Sequence, residues 1–239
     1  MATSPPAKWA HVFNLSDGNM NQTKPSQQGF TLVELLVVIS IILMLATFGV
    51  TKFIAGKRDA QLVASRDHLN QIYFHLKRYE NKKGRMPAKR KDGTIDSGSA
   101  FLLSIFDDVF LDKTANNAKI FFCPSLSQPA LSDDNLEDTV TPETIHYAGR
   151  NQEEKEFKVG RSTMKKSSSI VIACNKPYFE NEMPHAGDYL AVVFLDGSSG
   201  EFSREDYGPD WSSEDPLSIG PESPVEALHG LSGSAEDDY

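Results

Sequence analysis

Between Phe30 and Val50, Glu34 is the only ionisable side chain. The run around it, FTLVELLVVISIILMLATFGV, is long enough to span a bilayer, for which roughly 20 apolar residues suffice. A carboxylate inside such a run costs at least ~2.5–3.5 kcal/mol in lipid. A buried charge is tolerable when paired and expensive when alone, so Glu34 calls for a cation that the run itself lacks. Two cysteines, Cys123 and Cys174, offer redox chemistry. In an oxidising compartment they could join, closing a loop of about 50 residues that stabilises by ~3–4 kcal/mol in the chain-entropy model. The other reading is two buried free thiols, because strand adjacency is not visible in sequence. His185, Asp188 and Asp196 can be drawn as a metal or catalytic set. No motif places a serine or cysteine nucleophile beside them, and the six histidines show no ligand spacing. They read as polar turn residues, and no catalytic motif is visible anywhere, so the chain reads as a non-enzyme.

These residues need elements to hold them. The apolar run exceeds the 7–15 residues of a signal-peptide core, and no A-x-A site follows it. After Val50 the pattern turns amphipathic. Leu62, Leu69, Ile72, Leu76 and Tyr79 recur at helical spacing, with Arg58, Asp59, Arg66, Asp67, Lys77 and Arg78 between them. No proline occurs from Phe30 until Pro87, and Lys82-Lys83-Gly84 reads as a helix stop. One helix from Phe30 to about Lys83 would be ~80 Å long. Downstream, Lys119–Cys123, Thr144–Ala148, Ser169–Cys174 and Tyr189–Asp196 read as strands. Asp196-Gly197 before Glu201-Phe202 predicts a tight hairpin. Ala100–Phe106 reads as a short helix. The expected fold class is α+β, a long N-terminal helix packed on a small antiparallel sheet. The segment after Phe202 is acidic and rich in Ser, Pro and Gly, which predicts disorder, with Trp211 as a candidate contact anchor. The net charge of −9 argues against a nucleic-acid partner. Lys82, Lys83, Arg85 and Lys89-Arg90-Lys91 form a local basic cluster that reads as a solvated loop, the alternative being contact with lipid headgroups or an assembly partner.

The hexapeptide Gly29-Phe30-Thr31-Leu32-Val33-Glu34 before an apolar helix resembles the N-terminus of type IV pilins and of type II secretion pseudopilins. The resemblance implies cleavage after Gly29 by a prepilin peptidase, N-methylation of Phe30 and storage of the helix in the membrane before filament assembly. It also supplies the missing cation, since the new Phe30 ammonium of one subunit would face Glu34 of another. The leader is polar, with Lys8 and Lys24 against Asp17, and a start at Met20 would shorten it to the length usual in the family. Lys52, Lys57 and Arg58 lie just past the apolar run, where the positive-inside rule would not place the outer side; the cleavage motif outweighs that count. A second, patchier resemblance covers residues 119–203. Cys123-Pro124-Ser125, a Tyr147-Ala148-Gly149 strand, His185-Ala186-Gly187 and Phe194-Leu195-Asp196-Gly197 are similar to a pattern in prepilin-like proteins of planctomycetes and verrucomicrobia. Major pseudopilins often hold calcium in a C-terminal loop, and Asp188 and Asp196 lie in the comparable region, although no ligand series is defined.

The resulting organisation is a leader (1–29), a membrane and filament-core helix (30–50), its amphipathic continuation (51–86), an α+β pseudopilin domain (87–203) and an acidic tail (204–239). The expected protein is a structural subunit of a type II secretion pseudopilus or type IV pilus-like filament, held in the inner membrane by one span with its outer domain in the periplasm. Its expected partners are the peptidase, other subunits, the membrane and the inner-membrane assembly platform. The alternative is a membrane-anchored extracytoplasmic binding module with no filament role. No cofactor is expected beyond the calcium already noted.

Overall fold

Uninterrupted by proline, the N-terminal segment forms one helix, α1 (Leu32–Lys83). The computed structural model describes residues 30–88, 97–153, 156–159, 168–177, 182–208 and 217–233, the side chains at 48, 49, 51 and 186 excepted. Helix α1 stops where the sequence says it should. Gly84 takes φ +76° and its N–H donates to Glu80 O at 2.7 Å, closing the last turn with a left-handed residue. Lys82 and Lys83 sit in that turn, against the negative end of the helix dipole. The chain divides into two units between Phe48 and Gly49. In the first, every described side chain from Phe30 to Thr47 is exposed, and the helix is apolar and long enough to cross a membrane.

The second unit contains the core. From α1 it buries Leu62, Leu69, Ile72 and Leu76, as the spacing predicts, together with Ser65, which the pattern does not flag. Short helices follow: α2 (Ser99–Leu103), α3 (Ala115–Ala118) and α4 (Leu136–Thr139). The sheet has β1 (Tyr147–Arg150), β2 (Val171–Asn175), β3 (Tyr189–Phe194), β4 (Ser199–Ser203) and β5 (Leu231–Ser232), in the spatial order β4-β3-β2-β1-β5. All neighbours are antiparallel; Cys174 stands opposite both Ala148 and Val192. Tyr147, Ile172, Ala191 and Val193 face the α1 stripe along with Phe101 and Phe121. Ala148, Val171, Cys174, Leu190 and Val192 form the opposite face.

The hairpin predicted at Asp196-Gly197 joins β3 to β4. Phe194 N donates to Ser198 O at 2.8 Å and Gly197 N to Phe194 O at 3.0 Å. Gly197 has φ +88°, and a Cβ there would lie 2.5 Å from the Tyr73 ring, so both backbone and space demand glycine.

Three expectations are corrected. Lys119–Cys123 is no strand: Thr114 caps α3, accepting from Asn117 N at 3.2 Å, and the helix tightens into a 3₁₀ turn over Lys119–Phe121. Ile120, Phe121, Phe122 and Cys123 are all buried, and such an all-apolar run carries no period that separates strand from helix. Cys123 and Cys174 are free thiols, one in each cluster on opposite faces of the sheet. The third concerns the tail. Arg204–Tyr207 forms a 3₁₀ turn with a Ser203–Asp206 capping box, Glu226–Leu228 forms another, and β5 pairs with β1. Leu217, Leu228, Leu231 and Tyr207 cover the second face of the sheet. Average composition hid these few apolar residues, whose burial is available only because one sheet face would otherwise stay bare. Trp211 and residues 234–239 lie outside the described residues, as do the leader, including Gly29, and Lys89-Arg90-Lys91.

Candidate functional site

At the start of α1, Thr31 and Glu34 bond each other in both directions. Thr31 Oγ1 accepts from Glu34 N at 3.2 Å, and Glu34 Oε2 accepts from Thr31 N and from Thr31 Oγ1, each at 2.8 Å. This is a capping box, in which two helix-end donors are satisfied reciprocally. Its signature, Thr-x-x-Glu before an apolar run, is present in the sequence. The carboxylate is thus held by its own helix end, with Oε2 accepting both hydrogen bonds. The box gives the Glu34 side chain a defined orientation at the start of α1.

The outer unit brings together groups that the sequence left scattered. Cys123 Sγ lies 3.3 Å from Ser65 Oγ, 3.0 Å from Ser125 Oγ and 3.8 Å from His185 Nε2. The Cys123 N–H donates to His146 Nδ1 at 3.1 Å, and the His185 N–H donates to Ser125 Oγ at 3.0 Å. The Cys-Pro-Ser turn and the His-Ala-Gly turn are therefore one packed unit. His185 adopts φ +52°, the one non-glycine residue at positive φ among those described. No motif in the sequence signals this meeting of Cys123 with His185, which lie 62 residues apart in the chain.

The chemistry of this pair is nevertheless quiet. Cys123 is fully buried, and desolvation pushes its thiol up. Burial pulls His185 down to about 4, so the imidazole is neutral near pH 7. Burial, helped by Lys176, pulls His146 down to about 4 as well. An activated cysteine needs an exposed thiolate beside a positive charge. This one has neither, and its contacts read as the cement between two turns.

Asp188 and Asp196 are not brought together as one ligand set. Asp188 lies between two cations, 3.6 Å from Arg58 and 3.9 Å from Arg204. Asp196 Oδ1 accepts from Ser198 N at 2.9 Å and Ser198 Oγ at 2.6 Å, which holds its carboxyl below the usual range and shapes the hairpin. Among the described residues no group of three or more His, Cys, Asp or Glu could hold a metal ion.

Residues 24–50 match the family described as the prokaryotic N-terminal methylation motif. The chain carries this motif, consistent with a type IV pilin-like or pseudopilin family. The match spans the peptide before Phe30 and the apolar half of α1, which is also the part of the chain containing the Thr31–Glu34 box. It implies processing by a prepilin peptidase and pilin-like subunit assembly in general terms, and with the apolar helix it is consistent with membrane anchoring. No solved structure matches the chain.

Proposed function

We propose that this chain is a non-enzymatic structural subunit of a type II secretion pseudopilus or type IV pilus-like filament. Prepilin peptidase cuts between Gly29 and Phe30, the new N-terminus is methylated, and the inner-membrane assembly platform moves the subunit from the membrane into the filament, with the second unit in the periplasm. The observation that carries this reading is the methylation motif ending in an apolar helix whose single carboxylate is held in a capping box. A plain anchor gains nothing from Glu34, whereas a subunit uses it to receive the Phe30 ammonium of a neighbour. Pairing offsets the penalty of a charge in lipid and fixes the register between subunits. The quiet Cys123–His185 contact supports a structural role over a catalytic one.

Processing is tested on protein extracted from membranes. Intact mass and N-terminal sequencing are expected to give a chain starting at methylated Phe30, and Gly29→Ala is expected to leave the leader attached. A mature chain starting at Met1, at Met20 or inside the apolar run contradicts the reading.

A further inference from the structure

Arg150 is the least expected charge in the molecule. It stands at the end of β1, is 7 % exposed, and burial pulls its guanidinium down to about 10. Its Nε donates to Phe157 O at 2.7 Å and its Nη1 to Val171 O at 3.3 Å. The guanidinium carbon lies 5.6 Å from the centre of the Phe157 ring. Among the described residues no carboxylate pairs with it and no acceptor takes Nη2. Carbonyl oxygens satisfy some of its donors but do not neutralise its charge, and a buried cation without a counter-charge is unfavourable by several kcal/mol.

Arg150 lines a cavity of about 680 Å³, within the range of ordinary ligand pockets. Phe157, Ile170 and Ala227 give it apolar walls, and Glu156 and Glu226 stand exposed at its edge. The segment around Gly230 closes one side, and a Cβ at Gly230 would meet the guanidinium unless the Arg150 side chain shifted. Asn151 N donates to Gly230 O at 2.8 Å, holding the segment over the site. The fold thus places a guanidinium, with Nε and Nη1 engaged by carbonyls, at a cavity of mixed polar and apolar lining, where a carboxylate oxygen can meet Nη2.

We propose that this cavity binds the terminal carboxylate of a peptide chain, anchored on Arg150, with a basic side chain of the peptide turned to Glu156 and Glu226. The two edge carboxylates select this ligand. They repel a dianion such as phosphate and favour a single negative charge accompanied by a nearby positive one. This binding role is separate from filament assembly, since it uses none of the Phe30–Glu34 machinery.

The test uses the full mature chain in detergent micelles and two fluorescein-labelled tetrapeptides ending in Phe-Lys, one with a free carboxylate and one amidated. Fluorescence anisotropy is expected to show saturable binding of the free acid and at least about tenfold weaker binding of the amide, as loss of one charge-assisted pair implies. Glu226→Lys is expected to weaken the free acid as well, and Arg150→Gln to abolish its advantage over the amide. Arg150→Gln risks unfolding, so the decisive contrast is acid against amide on the unaltered protein. Equal binding of the two peptides, or no binding of either at millimolar concentration, overturns the proposal. Competition by acetate as strong as that by the unlabelled peptide overturns the peptide as occupant and leaves a site for small acids. Retained acid selectivity in a folded Arg150→Gln protein overturns the anchor.

Discussion

Glu34→Leu is expected to reduce incorporation into filaments by at least about tenfold while leaving leader removal and protein level unchanged. Two losses combine in this substitution. The capping box disappears, which destabilises the first turn of α1 by about 1 kcal/mol. The neighbour's ammonium also loses its counter-charge, and breaking a buried pair by removing one partner costs about 3–5 kcal/mol. The second term is the larger, so charge decides the outcome. Glu34→Gln separates the two, because glutamine also serves at this position of a capping box but carries no charge. Glutamine is therefore expected to fail nearly as badly as leucine, whereas Thr31→Ala, which keeps the carboxylate and removes its hydroxyl partner, is expected to assemble at a moderately reduced level. Quantitative blotting of the sheared filament fraction against total membrane protein measures all three. Full assembly of Glu34→Gln would reduce Glu34 to a helix cap. Thermal unfolding of the second unit is expected to be unaffected, since among the described residues the hydrogen bonds of Glu34 go to Thr31.

Mild acid is expected to destabilise the second unit steeply. His146 and His185 each titrate near 4 in the folded chain, because burial disfavours their charged forms, whereas unfolded histidine titrates near 6.5. Above about pH 6.5 both states hold these side chains neutral, and the folded state keeps its full advantage. As pH falls from about 6.5 toward 4, the unfolded chain takes up protons that the folded chain refuses, so stability drops by up to about 1.4 kcal/mol per pH unit for each histidine. His68 and His75 are lowered by the same cause and add in the same direction. The thermal midpoint of the mature chain, followed by near-UV circular dichroism at pH 7.5 and pH 5, is expected to fall clearly. His185→Gln is expected to flatten that dependence. A midpoint that does not move between these pH values contradicts the burial of both imidazoles.

What could be read from sequence followed from repeated physical signals. The α1 stripe at Leu62, Leu69, Ile72 and Leu76 repeats often enough to fix a face, and Gly84 after two lysines is a stop with a mechanism. Asp196-Gly197 between the apolar run ending at Leu195 and Glu201-Phe202 likewise specified its hairpin. The failures share a cause as well. Lys119–Cys123 is buried all round and has no period, so propensity alone suggested a strand that Thr114 capping overrides. In the tail, Leu217, Leu228 and Leu231 are too few and too far apart to show a pattern; they are recruited by a sheet face assembled from distant strands. The same limit applied to the sites. Glu34 was legible because its charge is anomalous in a local run. The meeting of Cys123 with His185 and the enclosure of Arg150 depend on contacts across 62 and 21 residues respectively, which no local spacing encodes.

In the proposed function, the mature chain is a filament subunit held in register by Phe30 and Glu34. Purified filaments from cells producing the native chain, solved by electron cryomicroscopy, test it most directly. The expected structure is a helical array of this chain in which the methylated Phe30 nitrogen of one subunit lies within salt-bridge distance of the Glu34 carboxylate of a neighbour. Filaments that exclude the chain, or an array in which Glu34 meets only its own Thr31, would contradict it.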